Sequence, residues 1–288
     1  MIKINSCDGI YEDSLDVRFT KKCDNSCNFC IEKKGINALE ENIDKMIIST
    51  LKSKKNTILI LGGEPFLNIK NLKQYIKGIK DYVKEIYITT SLPNTINLLD
   101  KDVCFILDNI TGLNVSIQHC DYNQNNLILK SKSNHNRIEQ LKNIANVYGY
   151  KIRVNLNLVK NNIDNKEKLT EALELFSSFK IKEIKINELQ NVNEELYVDY
   201  EIITKNKMLS PFVFGCQTDI TEHWIKNKNI TSKILLKRAC FYVKPEKFKK
   251  ACFLDFFKVL TKKIFNNKNH SQKVLYENGN LENGWIEK

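Results

Sequence analysis

Arginine, proline and glycine are scarce in this chain. Of its 45 basic residues only Arg18, Arg137, Arg153 and Arg238 are arginines, and 4 prolines and 10 glycines are spread over 288 residues. So little Pro and Gly excludes collagen-like repeats and Pro-rich disordered tracts. No apolar run approaches the roughly 20 residues of a membrane span, and residues 1–11 lack the basic-then-apolar order of a secretion signal. A cytoplasmic protein without a membrane partner is expected. The 42% hydrophobic content supplies one large core, or a core with an appendage.

What the chain has in excess is lysine, which with asparagine and isoleucine gives it the residue bias of an AT-rich genome. The formal net charge is +11. Lysines on solvated helix faces account for most of this. The functional alternative is an acidic partner: nucleic acid, a phosphorylated substrate or an acidic electron carrier. Nine cysteines, an odd number without a secretion signal, argue against disulfides and pose a choice between metal binding and burial. Cys7, Cys104 and Cys120 stand singly in apolar or mixed segments and read as core residues. The other six form two sets of three.

Between residues 16 and 190 short β-rich runs alternate with helical patterns. Strands are expected over 16–20, 57–61, 85–90, 113–119, 152–159 and 181–189. Helical stripes lie between them: Leu39, Ile43, Met46, Ile47 and Leu51 behind Asn37 as N-cap, then 72–83, 138–148 and 169–176, with a shorter helix over 94–99. Such alternation predicts an α/β fold, a partial (β/α)6 TIM-like barrel of parallel strands with right-handed crossovers. Chemistry in that architecture collects at the C-terminal strand ends. After about residue 200 the alternation breaks. A small C-terminal α+β appendage is expected there, with a helical run over 251–265 and a hairpin of 274–277 and 281–285 around an Asn278-Gly279 type I′ turn. The expected domains are 1–200, the barrel, and 201–288, the appendage.

Directly after the first strand stands Cys23-Asp24-Asn25-Ser26-Cys27-Asn28-Phe29-Cys30, a C-x3-C-x2-C spacing. Three thiolates on one loop can converge on a single centre. Zinc would usually take a fourth Cys or His nearby, and none lies within ten residues. A four-iron cube held by three thiolates keeps one iron open to a small molecule. The second strand runs into Gly62-Gly63-Glu64-Pro65-Phe66, whose glycines let backbone approach a ligand and whose proline fixes the exit of the turn.

With these two motifs the sequence resembles the radical S-adenosylmethionine (SAM) enzymes over roughly residues 14–190. Phe29 stands where that family has an aromatic before its last cysteine. The resemblance implies that Cys23, Cys27 and Cys30 ligate a 4Fe–4S cluster and act in catalysis, and that Gly62, Gly63 and Glu64 hold the methionine end of SAM. It implies that Ser116 and Gln118 on the fourth strand, and Asn155 and Asn157 on the fifth, approach the ribose and methionine carboxylate. Each such pair, i and i+2, shares a strand face. Glu188, ending the sixth strand, is a candidate contact to substrate or adenosine, with a salt-bridged rim residue as the alternative. Arg153 shares a face with Asn155 and is placed to meet a carboxylate, whereas Arg137, opening a helix, reads as a surface or phosphate contact.

The second set, Cys216, Cys240 and Cys252, is loosely spaced. It fits a second iron–sulfur cluster, a zinc site completed by His223, or burial. The expected function is reductive cleavage of SAM to a 5′-deoxyadenosyl radical that abstracts hydrogen from a small-molecule or nucleotide-like substrate. The alternatives are maturation of a ribosomally made peptide, tRNA modification, and a non-catalytic iron–sulfur electron-transfer module. An acidic flavodoxin or ferredoxin is the expected reductant, and nucleic acid stays open as a partner.

Overall fold

The computed structural model describes residues 4–5, 13–30, 32, 35–189, 195–200, 217–224, 226–237, 273–283 and 285–286. Strands β1 (Ile4–Asn5) and β2 (Ser14–Thr20) come first, then α1 (Ile43–Ser53), β3 (Thr57–Gly62), α2 (Ile69–Ile79) and β4 (Glu85–Thr90). Next are α3 (Lys101–Asp108), β5 (Gly112–Ser116), α4 (Tyr122–Leu129), α5 (Arg137–Tyr148), β6 (Ile152–Leu158), α6 (Lys166–Ser178) and β7 (Glu183–Glu188). The described chain continues with β8 (Gln217–Asp219), α7 (Thr221–Trp224), β9 (Lys233–Lys237), β10 (Lys273–Leu275) and β11 (Leu281–Asn283).

All the described strands share one open sheet of order β1-β8-β9-β7-β6-β5-β4-β3-β2-β10-β11. Strands β2 to β7, the six read from the sequence, are parallel, as are β9 beside β7 and β10 beside β2. The fold is therefore the α/β partial barrel, open rather than closed. Residues after 200 supply strands at both of its edges.

Local chemistry sets the helix starts. Each of α1 to α6 begins behind an Asn or Asp whose side chain accepts a first-turn N–H: Asn42, Asn68, Asp100, Asp121, Asn136 and Asn165. The first helix starts at Asn42 and not at Asn37, because the Asn37 carbonyl accepts from Arg18 and the Leu39 N–H donates to Glu277. Residues 94–99 form turns, with Thr95 donating to the Phe66 carbonyl, and the helix follows at Lys101. Apolar strand residues such as Val17, Ile60, Ile88, Val115, Leu156 and Ile186 pack under Leu72, Ile76, Leu141 and Phe176 of the helices. Their strand neighbours face the other way and form the inner face of the barrel.

The C-terminal hairpin is present, with a different turn. Gly279 alone takes a positive φ (+80°), its N–H donates to Tyr276 O, and Tyr276 N donates to Asn280 O. This is a three-residue loop with glycine in the left-handed position, where a type I′ turn needs both central residues there. A buried ion pair locks the hairpin to β2. Arg18 Nε and Nη2 donate to the two carboxylate oxygens of Glu277 at 2.8 and 2.9 Å, and the guanidinium lies 4.4 Å from the Tyr276 ring centroid. Both side chains are almost fully buried, so removing one leaves the other charge unpaired. Glu277→Ala should cost about 3–5 kcal/mol in denaturant unfolding, and a loss under about 1 kcal/mol would contradict this role.

Candidate cofactor site at the C-terminal strand ends

The cysteine loop leaves the end of β2 and is held from the α4 side of the barrel. Ser26 N donates to Leu129 O at 2.9 Å, Lys132 N to Asp24 O at 2.8 Å, and the Cys27 thiol to Leu129 O at 3.4 Å. Cys23, Cys27 and Cys30 are half-buried free thiols, and Cys30 N donates to Cys27 O. Burial first, then the charges of Glu64, Asp24 and Cys30, push the Cys23 thiol up to about 11, against a hydrogen bond from Asn25 N–H. Among the described residues no three potential ligand side chains are drawn together at metal-binding distances, these thiols included; the shared loop is what groups them. Phe29 packs against Val159, after β6, and Leu189, after β7. The loop thus spans from β2 to the far strands.

The glycine turn lies directly against this loop. Gly63 N donates to Thr20 O at 2.6 Å and Glu64 N to Lys22 O at 2.8 Å. Gly62 has φ +122°, and a Cβ on Gly63 would stand 2.1 Å from Lys22 O. No side chain fits between the two motifs. Glu64 is buried, and its carboxylate accepts from Phe66 N, Thr90 Oγ1, Ser91 N and Ser91 Oγ. The side chain is thus occupied within the protein, and the Glu64 main chain is tied into the turn as well, its N–H to Lys22 O and its carbonyl to Leu67 N.

Ser91 continues the network. Asn25 Nδ2 donates to its hydroxyl at 2.7 Å, and Arg137 Nε donates to its carbonyl at 2.9 Å. Arg137 is fully buried and also donates to Asp24, Asn25, Asn126 and Ser131. It is an internal clamp on the cysteine loop, not a surface or phosphate contact. A long-range ion pair of this kind leaves no local sequence signal beyond the scarcity of arginine.

Ser116 and Asn155 are register neighbours on the inner face, as are Asn157 and Asn187. Gln118 lies just past β5, fully buried; its Oε1 accepts from Asn157 N, while its Nε2 has no partner. Asn155 Oδ1 is likewise buried and unpartnered. Asn125 and Asn162, which the sequence reading missed, bond the Gln118 main chain and each keeps one buried amide atom open, Nδ2 and Oδ1 respectively. Arg153 pairs with Glu183 at 2.6 Å. Glu188 falls on the alternate set with Ile184 and Ile186, is buried, and accepts from Tyr200 N at 3.0 Å. Cys104 donates to Leu98 O, and Cys120 packs against the core. Cys7, Cys216, Cys240 and Cys252 lie outside the described residues, and His223 stacks edge-on against Trp224.

An open parallel α/β barrel with a three-thiol loop and a glycine turn joined at its C-terminal strand ends defines a cofactor-dependent enzyme. The family model for the radical SAM superfamily matches residues 17–176, and the chain belongs to that superfamily, whose enzymes use a 4Fe–4S cluster and SAM. Streptococcus suis SuiB bound to S-adenosylmethionine superposes with a TM-score of 0.62 at 17% identity, over 93% of this chain and 59% of that one. SuiB bound to its precursor peptide SuiA gives 0.61 at 16% identity, over 93% and 58%. The chain thus spans less than two thirds of those relatives. No curated protein matches it. Among the described residues no helix is long and apolar enough to cross a membrane.

The residues present fit both groups. Three soft thiols on one loop suit an iron–sulfur cluster. The open amide atoms of Gln118, Asn125, Asn155 and Asn162 suit a ligand carrying both donors and acceptors, since unpaired buried amides are costly otherwise.

Two predictions follow from this geometry. Burial, against hydrogen bonds from Ser91, Thr90 and Phe66, pushes the Glu64 carboxyl up to about 7 from 4.5. Between those values the folded protein keeps a proton that the unfolded chain has released. Stability should fall as pH rises from about 4.5 to about 7 and level off above it. Urea midpoints of Glu64→Gln should lack that slope; equal slopes in both proteins would contradict it. Gly63→Ala meets main chain that cannot yield, so it should cost about 1–3 kcal/mol and weaken SAM binding in equilibrium titrations.

Proposed function

We propose that the chain reductively cleaves SAM at a 4Fe–4S cluster held by Cys23, Cys27 and Cys30 and uses the product to abstract hydrogen from a small-molecule or nucleotide-like substrate. The observation that carries this is the direct hydrogen bonding of the glycine turn to the start of the cysteine loop, Gly63 N to Thr20 O and Glu64 N to Lys22 O. When bound, cluster and SAM supply one electron and a 5′-deoxyadenosyl radical. The protein's own part is to bind, orient and exclude water.

Backbone groups of Gly62, Gly63 and Glu64 hold the methionine end, with the Glu64 side chain fixing the turn from behind. Ser116, Asn155 and Asn157, with Gln118, hydrogen-bond the ribose and carboxylate, and Phe29 closes the mouth against Val159 and Leu189. Glu188 acts at the rim through the segment it holds at Tyr200. Residues 1–200 form the radical core, and 201–288 an appendage whose Cys216, Cys240 and Cys252 hold a second cluster. An acidic flavodoxin or ferredoxin serves as reductant, drawn by the lysine-rich surface.

A second reading, a peptide substrate, is favoured by one observation: the superposition on SuiB, which binds its precursor peptide SuiA, extends over 93% of this chain. Reconstituted, dithionite-reduced protein should convert SAM to 5′-deoxyadenosine, and Cys27→Ala should lower that to the protein-free background. Continued production by the variant would sink the assignment. Iron analysis should find about eight irons per chain for two clusters and about four for one.

A further inference from the structure

The inner face of the barrel separates its charges. Strand register places Asp16 beside Leu59 and Tyr87, and Arg153 beside Glu183 and then Lys233. The next rows toward the C-terminal ends are Ser116, Asn155, Lys185 and Leu235, then Asn157, Asn187 and Lys237. Of the carboxylates on this face, Asp16, Glu85 and Glu183 lie in the N-terminal halves of their strands, and Asp219, beside Leu235 on the antiparallel β8, pairs with Lys233 at 3.5 Å. Glu183 pairs with Arg153 at 2.6 Å, and Glu85 accepts from Thr57 and Tyr87. Lys185, the third of six residues in β7, and Lys237, the last of β9, lie one and two inward-facing rows beyond Glu183 toward the C-terminal strand ends, half-buried, and among the described residues neither has an ion pair.

Two half-buried ammonium groups without a counterion are costly, and proteins keep such arrangements chiefly where a ligand supplies the missing charge. Burial, together with the charges of Lys237 and Arg153, pushes Lys185 down to about 7, and Glu183 only partly offsets this. Lys185 is also the direct cross-strand neighbour of Asn155, whose Oδ1 is buried and unpartnered, so an anion held there lies about one strand spacing, ~5 Å, from that amide.

We propose that Lys185 and Lys237 form an anion-binding subsite that grips a carboxylate or phosphate of the substrate beside the cofactor wall of Asn155 and Asn157. The placement beside a cofactor rests on the function proposed above; the anion site itself does not. It narrows the substrate to an acidic metabolite, a phosphorylated molecule or a peptide with an acidic side chain. The two lysines act as point charges, which suits either anion.

The test is a titration of the full-length reconstituted protein with inorganic phosphate and with acetate, at constant ionic strength, with and without SAM, read by thermal midpoint. At least one probe should raise the midpoint saturably. Phosphate alone would indicate a phosphorylated substrate, acetate alone a carboxylate, and both the shared anion chemistry. Lys185→Met with Lys237→Met should weaken the apparent affinity at least tenfold. Lys185→Arg, which keeps the charge, should retain it, as should Lys52→Met with Lys77→Met on the outer helices. No response to either probe, equal affinity in the double variant, or displacement of the probe by SAM would overturn the subsite, the last by giving the lysines to the cofactor carboxylate. The titration reads binding and not turnover, so its failure and failure of the SAM-cleavage assay are separate results.

Discussion

The buried guanidinium of Arg137 is the interaction on which the site depends. One cation reaches Asp24 and Asn25 in the cysteine loop, the Ser91 carbonyl after β4, Asn126 on α4 and Ser131 beyond it. Ser91 in turn donates through both N–H and hydroxyl to Glu64. The cysteine loop, the glycine turn and the end of β4 therefore move as one unit. A loop with three thiols would otherwise be free to vary its spacing, and a site that must hold a ligand needs its supports fixed by a connected network. Such a network rigidifies most when its members are satisfied, and among the described residues only one oxygen of it, Asp24 Oδ1, is buried without a hydrogen-bond partner. Here the arginine fork supplies enough donors to meet carboxylate, amide, hydroxyl and carbonyl at once.

Glycine adds a steric constraint to this electrostatic one. Gly63 packs so closely on Lys22 that the end of β3 cannot separate from the loop following β2 without breaking two main-chain hydrogen bonds. The outer faces of the same strands are saturated with Ile, Val and Leu under the helices, so among the described residues it is the inner face that offers polar groups to a ligand. The open amides of Gln118, Asn125, Asn155 and Asn162 collect around the ends of β5 and β6, opposite the cysteine loop that Phe29 anchors beyond β6 and β7.

Period and punctuation made most of this fold legible. The six parallel strands are short β-branched runs, and four helices carry apolar stripes long enough to read. The sequence reading failed where tertiary contacts outweigh local preference. Asn37 is as good a cap as Asn42, but its carbonyl is taken by Arg18, a residue brought near by the sheet. The helix Tyr122–Leu129 carries a largely polar stretch without a stripe, and its Asn125 and Asn126 are buried only because Gln118 and Arg137 need their side-chain oxygens. The cysteine and glycine motifs could be read because their chemistry is local. Arg137 and Lys185 could not, since their meaning lies in what other strands bring beside them.

The scarcity of arginine then becomes informative. In a chain whose composition favours lysine, the three arginines within the described residues all point inward and each meets a carboxylate: Arg18 with Glu277, Arg137 with Asp24, Arg153 with Glu183. A planar fork can satisfy both oxygens of a buried acid, as Arg18 does with Glu277, while Arg137 and Arg153 each meet one oxygen of theirs. Where this protein needs an internal ion pair, it uses arginine. Lysine at an inward, half-buried position is thus not the residue this chain uses to neutralise its own acids. Lys185 and Lys237 break that pattern in the rows beyond Glu183, whose carboxylate Arg153 already occupies. Among the described residues no carboxylate takes their charge, which is what leaves it for the anion proposed above.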